Sequence, residues 1–489
     1  MAPESARARP GGARTAQRLE SFGLDSDWMR TWRQGPVHDA KLPLFTVKRR
    51  CSDVGTSPGK LARTVNSPKR SAPERRGVHA WHAYYAGYSE AFVADILKEL
   101  KIGADGIVLD PMNGSGTTTL VAQQHGHLSI GVELNPAMAI IARAKDPAFL
   151  NTSSLGQVAE VVASDAAHRH YADPVDEHTA AWIHPAAFVD LKRLEAALLE
   201  QTDIPVLSPD EALTKPLQDP EAVQGGRITD FLRAALLVTA RTVSSAEGSK
   251  NPTWFKPGNS QAVDVAVFEQ FTNVAKRMAS ELANTFTKRP EKRRLLVLEG
   301  DARRLPLKDN SVDAIVTSPP YLTRIDYAVS TAPELVLLGY ESEKELRTLR
   351  QSIMGSTCVT GGSYDVSARW GKTCVDLVKR VRRHPSKASA TYYFKMHVQY
   401  FRDAEAIVRE CLRVLKPRAS AVFVVQDSWY KDIHIKLDRI YVEMARELGA
   451  TSAETIQSEA VRTHMGHVNT RAKQYGKGTP HEHIVRFRK

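Results

Sequence analysis

Ser318 stands where a sequence could do group-transfer chemistry. Residues Asp313 to Tyr321 read Asp-Ala-Ile-Val-Thr-Ser-Pro-Pro-Tyr. The apolar run Val312 to Val316 predicts a buried strand, and it stops at Pro319–Pro320, which cannot donate to a sheet ladder. Each proline fixes φ and pushes its predecessor into an extended conformation, so Ser318 is pinned in a stiff loop with Tyr321 just beyond. In open α/β sheets that strand edge is where ligands bind. Rigid carbonyls with no competing N–H, a hydroxyl and an aromatic ring together suit the gripping of a planar amino group. A strand closed by a plain proline turn would read the same, so the assignment needs a second element.

Gly106 to Thr119 supplies it: Gly-Ile-Val-Leu-Asp-Pro-Met-Asn-Gly-Ser-Gly-Thr-Thr-Thr. This predicts an apolar strand ending in Asp110, a glycine loop, and a helix starting near Thr117. Gly114 and Gly116 let the backbone turn and approach a ligand closely. The helix N-terminus facing the loop favours a carboxylate. Ser129 to Pro136 then predicts a second strand ending in Glu133, where an acid binds ribose hydroxyls in this fold. Strand, Gly-x-Gly turn, helix, strand and acid make the nucleotide-binding half of a doubly wound sheet. The NAD fingerprint fails, because Thr119 stands where its third glycine would be.

The two loops together resemble those of the DNA amino-methyltransferases, which use S-adenosylmethionine. Asp-Pro-x-x-Gly-Ser-Gly-Thr-Thr is similar to their cofactor loop and Ser-Pro-Pro-Tyr to their catalytic loop, in the serine form typical of enzymes methylating N4 of cytosine. The resemblance implies an α/β fold: a Rossmann-like S-adenosylmethionine-dependent methyltransferase sheet, here with a helical insertion. It implies a cofactor site of Asp110, Pro111, Asn113, Gly114, Ser115, Gly116, Thr117, Glu133, Asp301, Ala302 and Tyr84. In it the helix start near Thr117 takes the methionine carboxylate and Asp301 takes the adenine amino group. An aromatic segment at Trp81, His82, Tyr84 and Phe92 would cover the methionine end. Catalysis would fall to Ser318, Pro319, Pro320 and Tyr321, with Ser318 Oγ and the Pro319 carbonyl accepting the amino protons and Tyr321 stacking on a flipped base. Arg324 and Asp326 would close the loop. The usual N4-cytosine enzymes place the catalytic loop first; here the cofactor loop leads, which leaves adenine N6 open. An RNA amino-methyltransferase and a catalytically silent nucleic-acid-binding protein on the same core are the other readings.

The elements that must hold these loops are legible in outline. Residues 1–76 read as a basic, partly disordered arm; up to residue 77 there are 16 Lys and Arg against 7 Asp and Glu, a net +9, and Leu42 to Val47 predicts a short strand within it. Residues 77–150 and 291–489 form the catalytic domain. Helical patterns at Ala187–Leu199, Ile228–Val243 and Val263–Phe286 make 151–290 an insertion between the second and third strands, either a brace or a DNA contact. Residues 354–389 read as an irregular target-recognition segment. Its stretch from Arg369 to Lys387 holds seven Lys and Arg against one acid, with Trp370 interleaved, and Arg369, Lys372, Arg380, Arg382 and Arg383 are the candidate phosphate contacts. Outside these two basic stretches the chain is net acidic within a total of +12, which points to a polyanionic partner, duplex DNA. A cognate restriction endonuclease is the protein partner the resemblance suggests. Cys51, Cys358, Cys374 and Cys411 are scattered and none follows a proline, which excludes a zinc ribbon and the Pro-Cys nucleophile of carbon-5 cytosine methylation. His79 and His82 have no converging ligands, so no metal is expected. With no membrane-length apolar run and no secretory signal, a cytoplasmic, nucleoid-associated prokaryotic protein is expected.

Overall fold

The computed structural model describes residues 65–70, 74, 76–82, 87–103, 105–146, 152–201, 220–244, 266–286, 295–322, 325–460 and 479–489, with backbone only at 201 and 220–227. One seven-stranded sheet organises them, in the order β3-β2-β1-β4-β5-β9-β8. Its strands are β1 (Ile107–Asp110), β2 (Leu128–Glu133), β3 (Leu295–Glu299), β4 (Val312–Thr317), β5 (Leu415–Gln426), β8 (Ser452–Ala460) and β9 (His481–Arg488). A hairpin of β6 (Ser428–Tyr430) and β7 (Ile433–Ile435) follows β5. Strands β3, β2, β1, β4 and β5 are parallel, while β9 runs antiparallel between β5 and β8. Parallel strands are covered on both faces, and β1 and β4 are accordingly near-continuous apolar runs. The order reverses between β1 and β4. Both motif loops leave the sheet at that switch point, the expected ligand crevice. The fold is the mostly parallel, Rossmann-like methyltransferase sheet anticipated from the two loops.

Local signals start the helices that flank it. Ser89 caps α1 (Glu90–Leu100) by accepting from Phe92 N, and α2 (Thr117–Gln124) begins after Gly116, whose φ is +87°. Asn135 caps α3 (Pro136–Ala144), with Pro136 at its first turn. Beyond α3, the described residues between β2 and β3 hold five more helices: α4 (Leu155–His168), α5 (Glu177–Trp182), α6 (Pro185–Gln201), α7 (Pro220–Thr242) and α8 (Val267–Thr285). Helix α3 itself packs on β3 through Ala139 and Ala142, and the apolar faces of the five share one core with α3 and with α9 (Ala332–Leu337). A buried ionic triad pins them there. Arg241 of α7 donates to Glu334 of α9 at 2.7 Å, and His82 Nε2 lies 2.7 Å from the same oxygen. Burial alone would raise the Glu334 carboxyl, but the Arg241 charge and the hydrogen bonds from Arg241 and His82 outweigh it and hold it down at about 2, while burial lowers the His82 imidazole itself.

After β4 come α9, α10 (Glu343–Ser352), α11 (Lys372–Arg383), α12 (Phe394–Val414) and, beyond β7, α13 (Leu437–Glu447). The expectation of an irregular basic segment over 354–389 is corrected. Lys372–Arg383 is a helix that buries Cys374, Leu377, Val378 and Val381 and leaves its cations outside. Its apolar positions recur at helical spacing, a period masked by the density of charge around them. Trp370, interleaved with those cations in the sequence, is buried, and its Nε1 donates to Glu405 at 2.9 Å. Residues 65–70, read as part of the arm, pack against α1: Val65 and Arg70 are buried, and Ser89 N donates to the Pro68 carbonyl at 2.8 Å.

Candidate active site

A cleft opens at the switch point, lined by residues of both motif loops. One wall is the glycine loop. Gly114 and Gly116 have positive φ, and a Cβ at Gly116 would sit 2.9 Å from that of Ala142, so helix α3 packs where only glycine fits. Asp110 is buried at the end of β1 and accepts from Thr317 Oγ1 and Thr118 Oγ1, both at 2.7 Å, from Tyr88 OH at 3.1 Å and from Met112 N at 3.1 Å. Its carboxylate thereby ties β1, β4 and α2 into one corner. Glu133, at the end of β2, accepts from Gly114 N at 2.6 Å and Asn135 N at 2.8 Å. Burial pushes its carboxyl up to about 7. Two oxygens offer about four lone-pair directions, so acceptor capacity remains for a ligand hydroxyl. Asp301, after β3, is held by Arg303, whose guanidinium also reaches Asp403 at 3.1 Å and the Ser352 carbonyl at 2.7 Å. Lys145, almost wholly buried behind the loop, donates to the Ser115 carbonyl at 2.6 Å, and burial lowers its pKa to about 7.

The opposite wall is the Ser-Pro-Pro-Tyr loop at the end of β4. Ser318 Oγ donates to the Val424 carbonyl of β5 at 3.1 Å. Tyr321 OH donates to Glu482 of β9 at 3.1 Å, and Tyr400 OH of α12 donates to the Pro320 carbonyl at 3.0 Å. A Cβ on Gly355 would lie 3.2 Å from the Tyr321 carbonyl, so the turn after α10 presses on the loop. Asp326 is buried and paired with Arg350 through contacts of 2.9 and 2.8 Å.

Of the residues expected from sequence, Asp110, Pro111, Asn113, Gly114, Ser115, Thr117, Glu133, Asp301, Ala302, Ser318 and Pro320 all line this one cleft. Tyr84 and Arg324 lie outside the described residues. The aromatic cover is corrected: Trp81 donates to Glu281 of α8 at 2.8 Å, His82 joins the Glu334 triad, and Phe92 is in the core under the sheet, whereas Gly87, Tyr88 and Tyr327 line the cleft. Trp81 is drawn away by the apolar faces of the inserted helices, where it meets Phe231 edge-on. Sequence reasoning also missed Ser352, Ile353, Met354 and Ile407, which close the cleft from α10 and α12 without any local motif. Arg369, Lys372, Arg380, Arg382 and Arg383 are exposed on or beside α11. Arg369 is 3.5 Å from Glu405, Lys372 is 2.8 Å from Asp376, and Arg382 lies over the Phe394 ring. His384, just past α11, pairs with Asp432 in the β6–β7 turn, so this helix ends beside the hairpin that follows β5.

No family model matches the chain. It is 23% identical over 448 residues to Type II methyltransferase M.BsoBI of Geobacillus stearothermophilus, a match covering 83% of this chain and 84% of that protein. The chain is a homologue of the Type II methyltransferases. M.AvaI of Anabaena variabilis is 32% identical to this methyltransferase homologue over 149 residues, 28% of this chain and 30% of the relative. M.ScaI of Streptomyces caespitosus is 32% identical over 90 residues, 18% and 27% of the two chains. Among the described residues no helix is long and apolar enough to cross a membrane.

Proposed function

We propose that this protein is an S-adenosylmethionine-dependent DNA methyltransferase acting on N4 of a cytosine flipped from the duplex. The observation that carries the reading is the hydroxyl of Ser318. Its proton is committed to the Val424 carbonyl, so its lone pairs are left to accept an amino N–H from a base. The cleft's chemistry fits the cofactor: acceptors at Glu133 and Asp301 for hydroxyl and amino donors, apolar Met138, Ile353 and Met354 for a purine ring, and the α2 N-terminus for a carboxylate. Bound there, S-adenosylmethionine supplies an electrophilic sulfonium methyl.

The chain's own task is orientation. A cytosine amino nitrogen is a weak nucleophile because its lone pair is delocalised into the ring. Ser318 Oγ and the Pro319 carbonyl each hold one of its protons and turn the lone pair toward the methyl. Positioning of this kind contributes within the roughly 7–11 kcal/mol attributed to well-oriented reactions. Tyr321, its hydroxyl anchored on Glu482, stacks on the flipped base. The cations of α11 hold phosphates, Arg350 fixes the loop through Asp326, and the inserted helices serve as a brace. A restriction endonuclease of the same specificity, in a prokaryotic cytoplasm, completes the reading. Incubation with labelled S-adenosylmethionine and either plasmid DNA or RNA, followed by nucleoside mass spectrometry, tests it. N4-methylcytosine in duplex DNA is expected. N6-methyladenine would overturn the role given to Ser318, and methylation of RNA alone would replace the substrate.

A further inference from the structure

We infer that Gln426 and Glu482 form the subsite that reads the Watson–Crick edge of the target base and selects cytosine over adenine. This rests on the proposed amino-group transfer. The two residues are direct partners across the antiparallel β5–β9 pair. Side chains alternate between faces along a strand, and Val422, Val424 and Ile484 all pack with Phe92 and Ile96 of α1. Gln426 and Glu482 continue those same files at the end of the sheet that carries the catalytic loop. Ser318 Oγ is bonded to the Val424 carbonyl, one step along the file from Gln426, and Tyr321 OH is bonded to Glu482 Oε1.

Both side chains are only 8% exposed, yet among the described residues Gln426 Nε2 and Glu482 Oε2 have no hydrogen-bond partner. A buried amide donor and a buried carboxyl oxygen left unmet are costly, so their presence together beside a catalytic loop points to a ligand that meets them. The donor count says which. With its amino group held at Ser318 and Pro319, cytosine still presents two acceptors on that edge, N3 and O2. Adenine presents N1 and then a C–H. Gln426 Nε2 serves N3 or N1 alike. When it carries its proton, the Glu482 carboxyl is a second donor, and that donor has a partner only in cytosine. Burial raises the Glu482 carboxyl and keeps it protonated to higher pH; Glu459 pushes the same way, while the Tyr321 hydroxyl, Lys69 and His483 oppose.

The test is product analysis on plasmid DNA with labelled S-adenosylmethionine, for the full-length protein and for Gln426→Leu, Glu482→Leu and Glu482→Gln, with cofactor affinity measured by calorimetry on each. Each Leu variant should lose about ten- to a hundredfold in kcat/KM, the range for an unmet buried hydrogen bond, while binding the cofactor as wild type does. Glu482→Leu should also raise the share of N6-methyladenine. Glu482→Gln should recover most of the turnover lost in Glu482→Leu, because an amide accepts from Tyr321 and donates to O2, and its turnover should not fall as pH rises, as the wild type's does once the Glu482 carboxyl loses its proton. Wild-type turnover in both Leu variants would overturn the inference, as would parallel loss of cofactor affinity or a Gln variant as damaged as the Leu one. A wild-type protein yielding only N6-methyladenine would instead defeat the cytosine reading before any variant is compared.

Discussion

The two walls of the cleft handle polar groups in opposite ways. On the β1–β2–β3 side the three carboxylates are already engaged by the protein: Asp110 by three hydroxyls and a backbone amide, Glu133 by two backbone amides, Asp301 by Arg303. Behind the catalytic loop, Gln426 Nε2 of β5, Glu482 Oε2 of β9 and Ser428 Oγ of β6 are buried with no partner among the described residues. The carboxyl groups of the first wall form a mould fixed before a ligand arrives, though the buried Asn113 Nδ2 beside them has no partner among the described residues. The second is unfinished without one. The proposed function, one constant cofactor and a base admitted only after flipping, predicts that the two sides fail separately.

The largest effect should come from breaking the mould. Gly116→Val introduces a Cβ against Ala142 at a residue with φ of +87°, so cofactor affinity should fall beyond detection by calorimetry; retained binding would remove the glycine loop from the site. Next is the triad that fastens the inserted helices. Glu334→Gln removes the buried carboxylate on which Arg241 and His82 converge, and denaturant unfolding should show a loss of about 3–5 kcal/mol. The folded carboxyl titrates near 2, below its ordinary 4.5. Its stabilisation is therefore complete above about pH 4.5, is lost as pH falls toward 2, and should be missing from the variant. Smaller still, Glu133→Ala and Asp301→Ala should each weaken cofactor binding by about 1–3 kcal/mol and leave DNA affinity unchanged. Changing Arg380, Arg382 and Arg383 together to Ala should do the reverse. The log–log salt dependence of DNA binding should flatten by up to about three units, with cofactor affinity intact. An unchanged slope would move phosphate binding elsewhere.

Much of the mould was legible because short-range physics dictates it. Gly114, Gly116 and Glu133 are recognisable from spacing alone, since a tight turn and a strand-end acid need particular residues at particular offsets. Ser318 was legible for the same reason, fixed by two prolines. Residues brought in by tertiary packing were not. Ile353, Met354 and Ile407 are ordinary apolar residues until the chain folds back over the cleft. Gln426 and Glu482 sit 56 positions apart and become neighbours only through the β5–β9 pairing. Trp81 and Phe92 show the converse error: aromatics beside a cofactor motif were read as its cover, but the inserted helices and the sheet offered them larger apolar surfaces. The helix at Lys372–Arg383 was hidden by composition, its four buried positions outnumbered by surrounding charge.

The separation of the two walls is tested most directly at Ser318. The measurement is a pair of values for Ser318→Ala and wild type: the dissociation constant for S-adenosylmethionine by calorimetry, and kcat for methyl transfer to plasmid DNA. Cofactor affinity within about twofold of wild type and kcat reduced about a hundredfold or more are expected, since the proposed function has the hydroxyl act on the base and not on the cofactor. A variant that turns over normally, or one that loses its cofactor along with its activity, would contradict the account.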